Sequence, residues 1–152
     1  MEFKKNELIL LSFFRRNARA ALTKVSRETG VPVSTIFDKL RRYEHSVITR
    51  HAALLDFEKL GFLTRAAILL KTSPENRIRL GAYLKTTACV NMIYRVNNGY
   101  DFLIDTIFKT VQDLETFLEH LELSHGVTEK KIHHVIEEVA RENYLVATES
   151  AT

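Results

Sequence analysis

Residues 22–45, LTKVSRETGVPVSTIFDKLRRYEH, decide how the first third of this chain folds. Leu22, Val25 and Ser26 share the inward face of a short helix predicted over 22–29. Gly30 ends it, because glycine takes up the left-handed conformation of a helix C-cap at little cost. Val31-Pro32 blocks continuation and opens a new element. A third helix is predicted over 33–45, with Ile36, Leu40 and Tyr43 recurring at i, i+4 and i+7. Upstream, Leu8, Leu11 and Phe14 recur at i, i+3 and i+6, with Leu10 and Phe13 beside them, which predicts a helix over about 4–17. Two helices joined by a short glycine turn, with another packed across them, make a helix-turn-helix.

The outward face of the third helix carries the chemistry. Ser34, Thr35, Asp38, Arg41 and Arg42 point away from the Ile36 stripe, Lys39 sits at its margin and Phe37 leans outward. Short hydroxyls near a helix N-terminus can approach base edges, while Lys and Arg grip phosphates or guanines. An outward aromatic such as Phe37 can touch a thymine methyl. The charge distribution agrees. Residues 1–50 hold 11 Lys and Arg against 5 Asp and Glu, a net of +6 within a whole-chain charge of +3. The rest of the chain is net −3 (11 basic against 14 acidic residues). A basic head followed by an acidic module is the pattern of a polyanion-binding unit joined to a unit with another task.

Composition excludes several classes. At 152 residues, 45% hydrophobic and 27% charged, the chain is neither disordered nor low in complexity. It buries roughly two-thirds of its unfolded surface, enough to fold without metal or disulfide staples. Cys89 is the only cysteine, so no internal disulfide or multi-cysteine zinc site exists, and its reading is that of a small hydrophobe. The apolar run Leu8–Phe14 is far too short to span a membrane and lacks a signal-peptide cleavage site. A soluble cytoplasmic protein with no membrane partner is the expectation.

Residues 63–140 read as strand, helix, strand, strand, helix, strand. Leu63–Lys71 is apolar and β-like, and Ser73-Pro74 is read as an N-cap and first turn of a helix reaching about Lys85. Val90–Val96 alternates as a strand, Asn97-Asn98-Gly99 signals a tight turn, and Phe102–Phe108 returns. Thr110 with Asp113 forms a capping box for a helix whose apolar face is Leu114, Phe117, Leu118 and Leu121. Ser124-His125-Gly126 closes that helix, and Lys130–Glu138 is the last strand. This order predicts a ferredoxin-like plait with both helices on one sheet face. The other face then needs a cover, another subunit or a ligand, and a homodimer is the expected one. Asp105, among Leu103, Ile104 and Ile107, needs a partner or water; a solvated sheet edge is expected, ahead of a ligand cavity or a subunit contact.

Asn17-Ala18-Arg19, Gly30, Ser34-Thr35-Ile36 and Lys39-Leu40-Arg41-Arg42-Tyr43-Glu44, in that order, resemble the DNA-binding domain of the Lrp/AsnC (leucine-responsive, feast/famine) regulators. Leu55-Asp56-Phe57-Glu58-Lys59-Leu60-Gly61-Phe62 resembles the linker that follows it, and the likeness runs from about Glu7 to Val139. The resemblance implies an α+β protein: an N-terminal winged helix-turn-helix, then a C-terminal ferredoxin-like βαββαβ domain. It implies a DNA-binding domain over 1–50, a linker over 51–62, a dimerisation and effector-sensing domain over 63–140, and a tail over 141–152. Tyr144 and Leu145 of that tail are expected to pack on a neighbour. Residues 48–55 are expected as a strand or extended linker, with Thr49, Arg50 and His51 near the DNA backbone.

The resemblance further implies a sequence-specific regulator of transcription that binds double-stranded DNA. It implies dimers that assemble further into octamers, and a small-molecule effector such as an amino acid bound near the second hairpin. Asn97, Asn98, Gly99, Tyr100 and Asp101 are the corresponding positions, with Gly99 one place later than the family's Gly-x-Tyr-Asp. Two other departures concern helix ends. Ala21 and Pro32 stand where the family carries small hydroxyl N-caps, and the glycine after the third helix is missing, so Glu44-His45-Ser46 must end it.

Catalytic and metal chemistry finds no seat in the sequence. There is no phosphate-binding glycine loop and no nucleophile elbow. His133 and His134 are adjacent on a strand and point to opposite faces, His45 and His51 are isolated, and His120 and His125 sit at a helix end. No cofactor, metal site or catalytic residue is assigned. The alternative is a ligand-sensing or siroheme-decarboxylase-like protein of this fold whose helix-turn-helix no longer binds DNA. The decarboxylase variant is disfavoured by the bare strand Ala66-Ala67-Ile68-Leu69-Leu70 after Arg65.

Overall fold

The computed structural model describes residues 3–146 and divides into two units. One takes in the chain up to Leu54 together with the C-terminal segment from Val139; the other runs from Leu55 to Glu138.

The first unit contains α1 (Lys5–Arg16), α2 (Leu22–Thr29) and α3 (Val33–Glu44). Leu10, Phe14, Val25 and Ile36 form its buried core, with Phe13, Ala20, Leu22, Val31 and Leu40 packed around them. The inward face of α1 differs from the expected one: Leu8 is 39% exposed, and Leu10 and Phe14, at i and i+4, do the burying. Ser12 is buried between them, its hydroxyl donating to the Ile9 carbonyl at 2.7 Å. Gly30 caps α2 with φ +71°, its N–H donating to the Ser26 carbonyl.

Neither Ala21 nor Pro32 makes a side-chain cap, so α2 and α3 each begin with uncapped amides. Ala21 already has the extended backbone of an N-cap residue (φ −64°, ψ 128°). An Ala21→Ser substitution therefore should stabilise this unit by about 1 kcal/mol. The check is the urea midpoint; an unchanged or lower midpoint would show that the first turn of α2 has no use for a cap.

α3 ends without glycine by saturating one carbonyl. The amides of Ser46, Val47 and Ile48 all donate to the Tyr43 oxygen, at 3.1, 2.9 and 2.8 Å. The Ser46 hydroxyl donates to the Arg42 carbonyl at 2.7 Å. Residues 48–56 form no strand, so of the two outcomes expected there the extended linker is the one observed, and the wing is not a paired strand. The C-terminal segment returns to α1. The Arg15 guanidinium donates to the Tyr144 carbonyl at 3.2 Å and pairs with Glu142. The Tyr144 side chain itself is 87% exposed. The remainder of the expected tail, 147–152, lies outside the described residues.

The second unit is β1 (Thr64–Thr72), α4 (Arg77–Thr86), β2 (Val90–Arg95), β3 (Phe102–Phe108), α5 (Val111–His125) and β4 (Val127–His134). The sheet is antiparallel throughout, in the order β2-β3-β1-β4. Alternation places Ala66, Ile68 and Leu70 of β1 in the core with Ile104, Leu80, Leu84, Leu114, Leu118 and Leu121. The Thr110–Asp113 capping box forms as expected, and Gly126 closes α5 at φ +68°.

Two boundaries move. The α4 helix begins at Arg77, not after Ser73, because Asn76 folds back on Ser73: its N–H reaches the Ser73 carbonyl at 3.1 Å and its amide group the Ser73 hydroxyl at 3.0 Å. That turn nests against Gly126, where a Cβ would lie 2.5 Å from Asn76. The last strand runs over Val127–His134, three residues ahead of its expected start, because it can pair only along β1, from Thr72↔Val127 to Ala66↔His134. Beyond Val135 the chain leaves the sheet, and Ile136 is 97% exposed. Among the described residues no helix is long and apolar enough to cross a membrane.

Candidate nucleic-acid interface and effector loop

The solvent side of α3 presents Ser34, Thr35, Phe37, Asp38, Arg41 and Arg42 together, all exposed. The Arg41 guanidinium lies over the Phe37 ring, 5.9 Å from its centroid, which holds the cation along the helix surface. Lys39 behaves differently. It is half-buried, and its ammonium pairs with Glu7 of α1 at 3.1 Å. Arg50 is exposed in the extended segment after α3. That segment is tied back to the helix end by His51 and Glu44, 3.0 Å apart.

Glu7 was not legible as a functional neighbour. Its carboxylate accepts from the Lys4 backbone N–H, from Lys39 and from the Tyr43 hydroxyl at 3.4 Å, and these contacts hold its pKa below the ordinary range, the Lys4 N–H most of all. Burial, reinforced by the Glu7 charge, pushes the Tyr43 phenol up. A single acid on α1 thus fixes two side chains of α3. Nothing in its sequence spacing announces a partner thirty residues away.

The second hairpin splits into an exposed tip and an anchored base. Asn98 (φ +63°) and Gly99 (φ +92°) both take left-handed backbone, so the late glycine still closes a tight turn. Asn97, Asn98 and Gly99 are exposed. Tyr100 donates its hydroxyl to Glu129 at 2.9 Å. Asp101 is 7% exposed and saturated. Its carboxylate accepts from the Thr72 amide at 2.9 Å, from Arg77 at 2.8 Å and from Arg95 at 3.4 Å. Burial raises its pKa, but the Thr72 N–H and the two arginines outweigh that and hold it below the usual carboxylate value.

Asp105 corrects an expectation. It is not at a solvated edge: it is 9% exposed, on β3 in the interior of the sheet. Arg65 donates to both its oxygens, at 2.8 and 2.9 Å, Asn91 donates at 2.8 Å, and Arg65 also pairs with Glu138. These bonds, above all the one to Asp105, raise the Arg65 pKa. The pair lies on the sheet face turned away from the helices. Ala67, Leu69, Leu103 and Ile107 share that face half-buried, and Tyr94 is 52% exposed there. Cys89 is half-buried against the core, where burial pushes its thiol up, as a packing residue requires.

A three-helix unit with an outward basic helix, followed by a four-stranded plait, is the architecture of a helix-turn-helix regulator with a ligand-binding domain. The sequence pattern of the Lrp/AsnC ligand binding domain matches residues 65–145. The chain belongs to the Lrp/AsnC family of helix-turn-helix transcriptional regulators. An HTH-type transcriptional regulator of Pyrococcus furiosus is 25% identical over 95% of this chain and 97% of its own length. The Pyrococcus horikoshii regulator FL11 is 26% identical over 72% of this chain and 74% of its own. Among solved structures, a Neisseria meningitidis transcriptional regulator in complex with L-Met superposes with a TM-score of 0.85 at 20% identity, over 92% of this chain and 94% of that one. Escherichia coli AsnC superposes at 0.82 with 17% identity, over 93% and 97%.

Proposed function

We propose that this protein is a homo-oligomeric, sequence-specific regulator that grips double-stranded DNA through α3 and is modulated by an amino acid or related small molecule. The exposed face of α3 carries the reading: hydroxyls at its N-terminal end and arginines toward its C-terminal end are the order in which a recognition helix meets bases and then phosphates. Ser34, Thr35, Phe37 and Asp38 face the bases. Arg41, Arg42 and Arg50 hold phosphates, with Lys39 contributing only where it can leave Glu7. A dimer closed through the bare sheet face would set two such helices about 34 Å apart along the duplex. The effector sits at Asn97–Asp101, with the exposed tip making contact and Asp101 holding the loop. The L-Met complex of the Neisseria relative supports an amino-acid ligand. The names of the relatives, HTH-type transcriptional regulators, support a DNA-binding regulator over an enzyme.

Electrophoretic mobility shift with genomic fragments, the protein's own promoter included, tests this. The expected result is a complex that weakens steeply as salt rises, through counterion release. No salt-sensitive complex with any fragment would overturn the proposal.

A further inference from the structure

We propose that His120 and His125 form a two-imidazole site for a late first-row divalent cation, Zn2+ in the first instance, walled on one side by Tyr83. The two histidines are five residues apart at the C-terminal end of α5, and their Nε2 atoms converge to 3.3 Å. That separation is at the long end of the range for a single N–H···N hydrogen bond. It matches the edge of a tetrahedron with Zn–N bonds of about 2.0–2.1 Å, which is about 3.3–3.4 Å.

Ring placement points the same way. The ring centroids are 5.0 Å apart and the planes are inclined by 71°. Two imidazoles meeting in a straight hydrogen bond at this nitrogen separation would have centroids about 5.6 Å apart. Two imidazoles aimed at a shared tetrahedral ion would have them about 5.2 Å apart. The observed spacing is nearer that of the shared-ion arrangement than that of the straight hydrogen bond.

Tyr83 of α4 fixes one of them. Its ring stacks on His125 at 3.7 Å between centroids, inclined by 19°, and lies 5.6 Å from His120. A positioned ring costs an incoming ion less ordering than a free one. Arg79 acts electrostatically on His125. Arg79 also opposes a dication. The site consequently favours ions with strong imidazole affinity, Zn2+, Cu2+ and Ni2+, over Mg2+ or Ca2+. Among the described residues no third histidine, cysteine or carboxylate joins the pair, so water completes the coordination shell.

Calorimetric titration of the metal-free protein with Zn2+ tests the site. One ion per chain is expected, with affinity reduced roughly tenfold or more by His120→Gln and by His125→Gln, and unchanged by His133→Gln. The protein has five tyrosines and no tryptophan, so quenching of tyrosine emission by Cu2+ gives a second readout that Zn2+ should block. His120 is exposed, so if His125→Gln fails to fold, His120→Gln alone decides. Wild-type protein that takes up no Zn2+, or His120→Gln protein that binds it as tightly as wild type, overturns the proposal.

Discussion

Asp101→Asn is expected to lower the stability of the sheet domain at neutral pH by roughly 1–3 kcal/mol, the cost of leaving a buried donor facing the wrong group. The reason is the donor set around the carboxylate. The Thr72 amide approaches one oxygen, and Arg77 and Arg95 approach the other. An asparagine has only one oxygen, so whichever way it turns its NH2 group meets another donor. The Thr72 amide lies where β1 changes register on β4, and a lost partner there reaches the strand end. The pH dependence follows from the lowered pKa. The carboxylate contributes stability above its unfolded value of 3.8, and that contribution is lost as pH falls through the lower folded value. Urea unfolding at pH 7 and at decreasing pH should show wild type and variant converging in acid. Equal midpoints at pH 7 would mean that Asp101 is not an anchor of the loop, and would return it to the solvent-facing part of the effector site.

Arg41→Ala with Arg42→Ala is expected to weaken DNA binding by at least about tenfold, 1.4 kcal/mol, while leaving the fold intact. Both side chains are exposed, and substitutions of exposed residues move stability by about 0.5 kcal/mol or less. The same change should flatten the dependence of log K on log salt by about one for each phosphate contact removed per complex. Lys39→Ala should do much less, because its ammonium is already neutralised by Glu7. Fluorescence anisotropy with a labelled operator across a salt series separates these cases. A double variant that keeps the wild-type slope would remove α3 from the phosphate contacts.

The elements were legible because local rules set them. Gly30 and Gly126 end their helices, Thr110 and Asp113 start one, and period-two burial on β1 places one face inward. What escaped the sequence was set by contacts between distant segments. The start of β4 depends on where β1 ends, which no local pattern states. Ser73-Pro74 carries the signature of a helix start, yet Asn76 overrides it with a turn held in place beside Gly126. Asp105 looked like an edge acid because its partner Arg65 is forty residues away. In the candidate site, the exposed side chains of α3 could be read from helical periodicity. The diversion of Lys39 by Glu7, the saturation of Asp101 and the meeting of His120 with His125 could not, since each depends on a side-chain direction that spacing leaves open.

The way α3 stops has a consequence for how this segment can change. Three successive main-chain N–H groups, those of Ser46, Val47 and Ile48, do the stopping on the Tyr43 oxygen. Main-chain donors are indifferent to the side chain they carry, so this stop itself excludes only proline, the residue that lacks the N–H, although the Ser46 side chain adds its own bond to the Arg42 carbonyl. A regulator that ends its recognition helix with glycine must keep that glycine. Here the stop rests on main-chain geometry instead, next to the helix whose outward face carries Arg41 and Arg42.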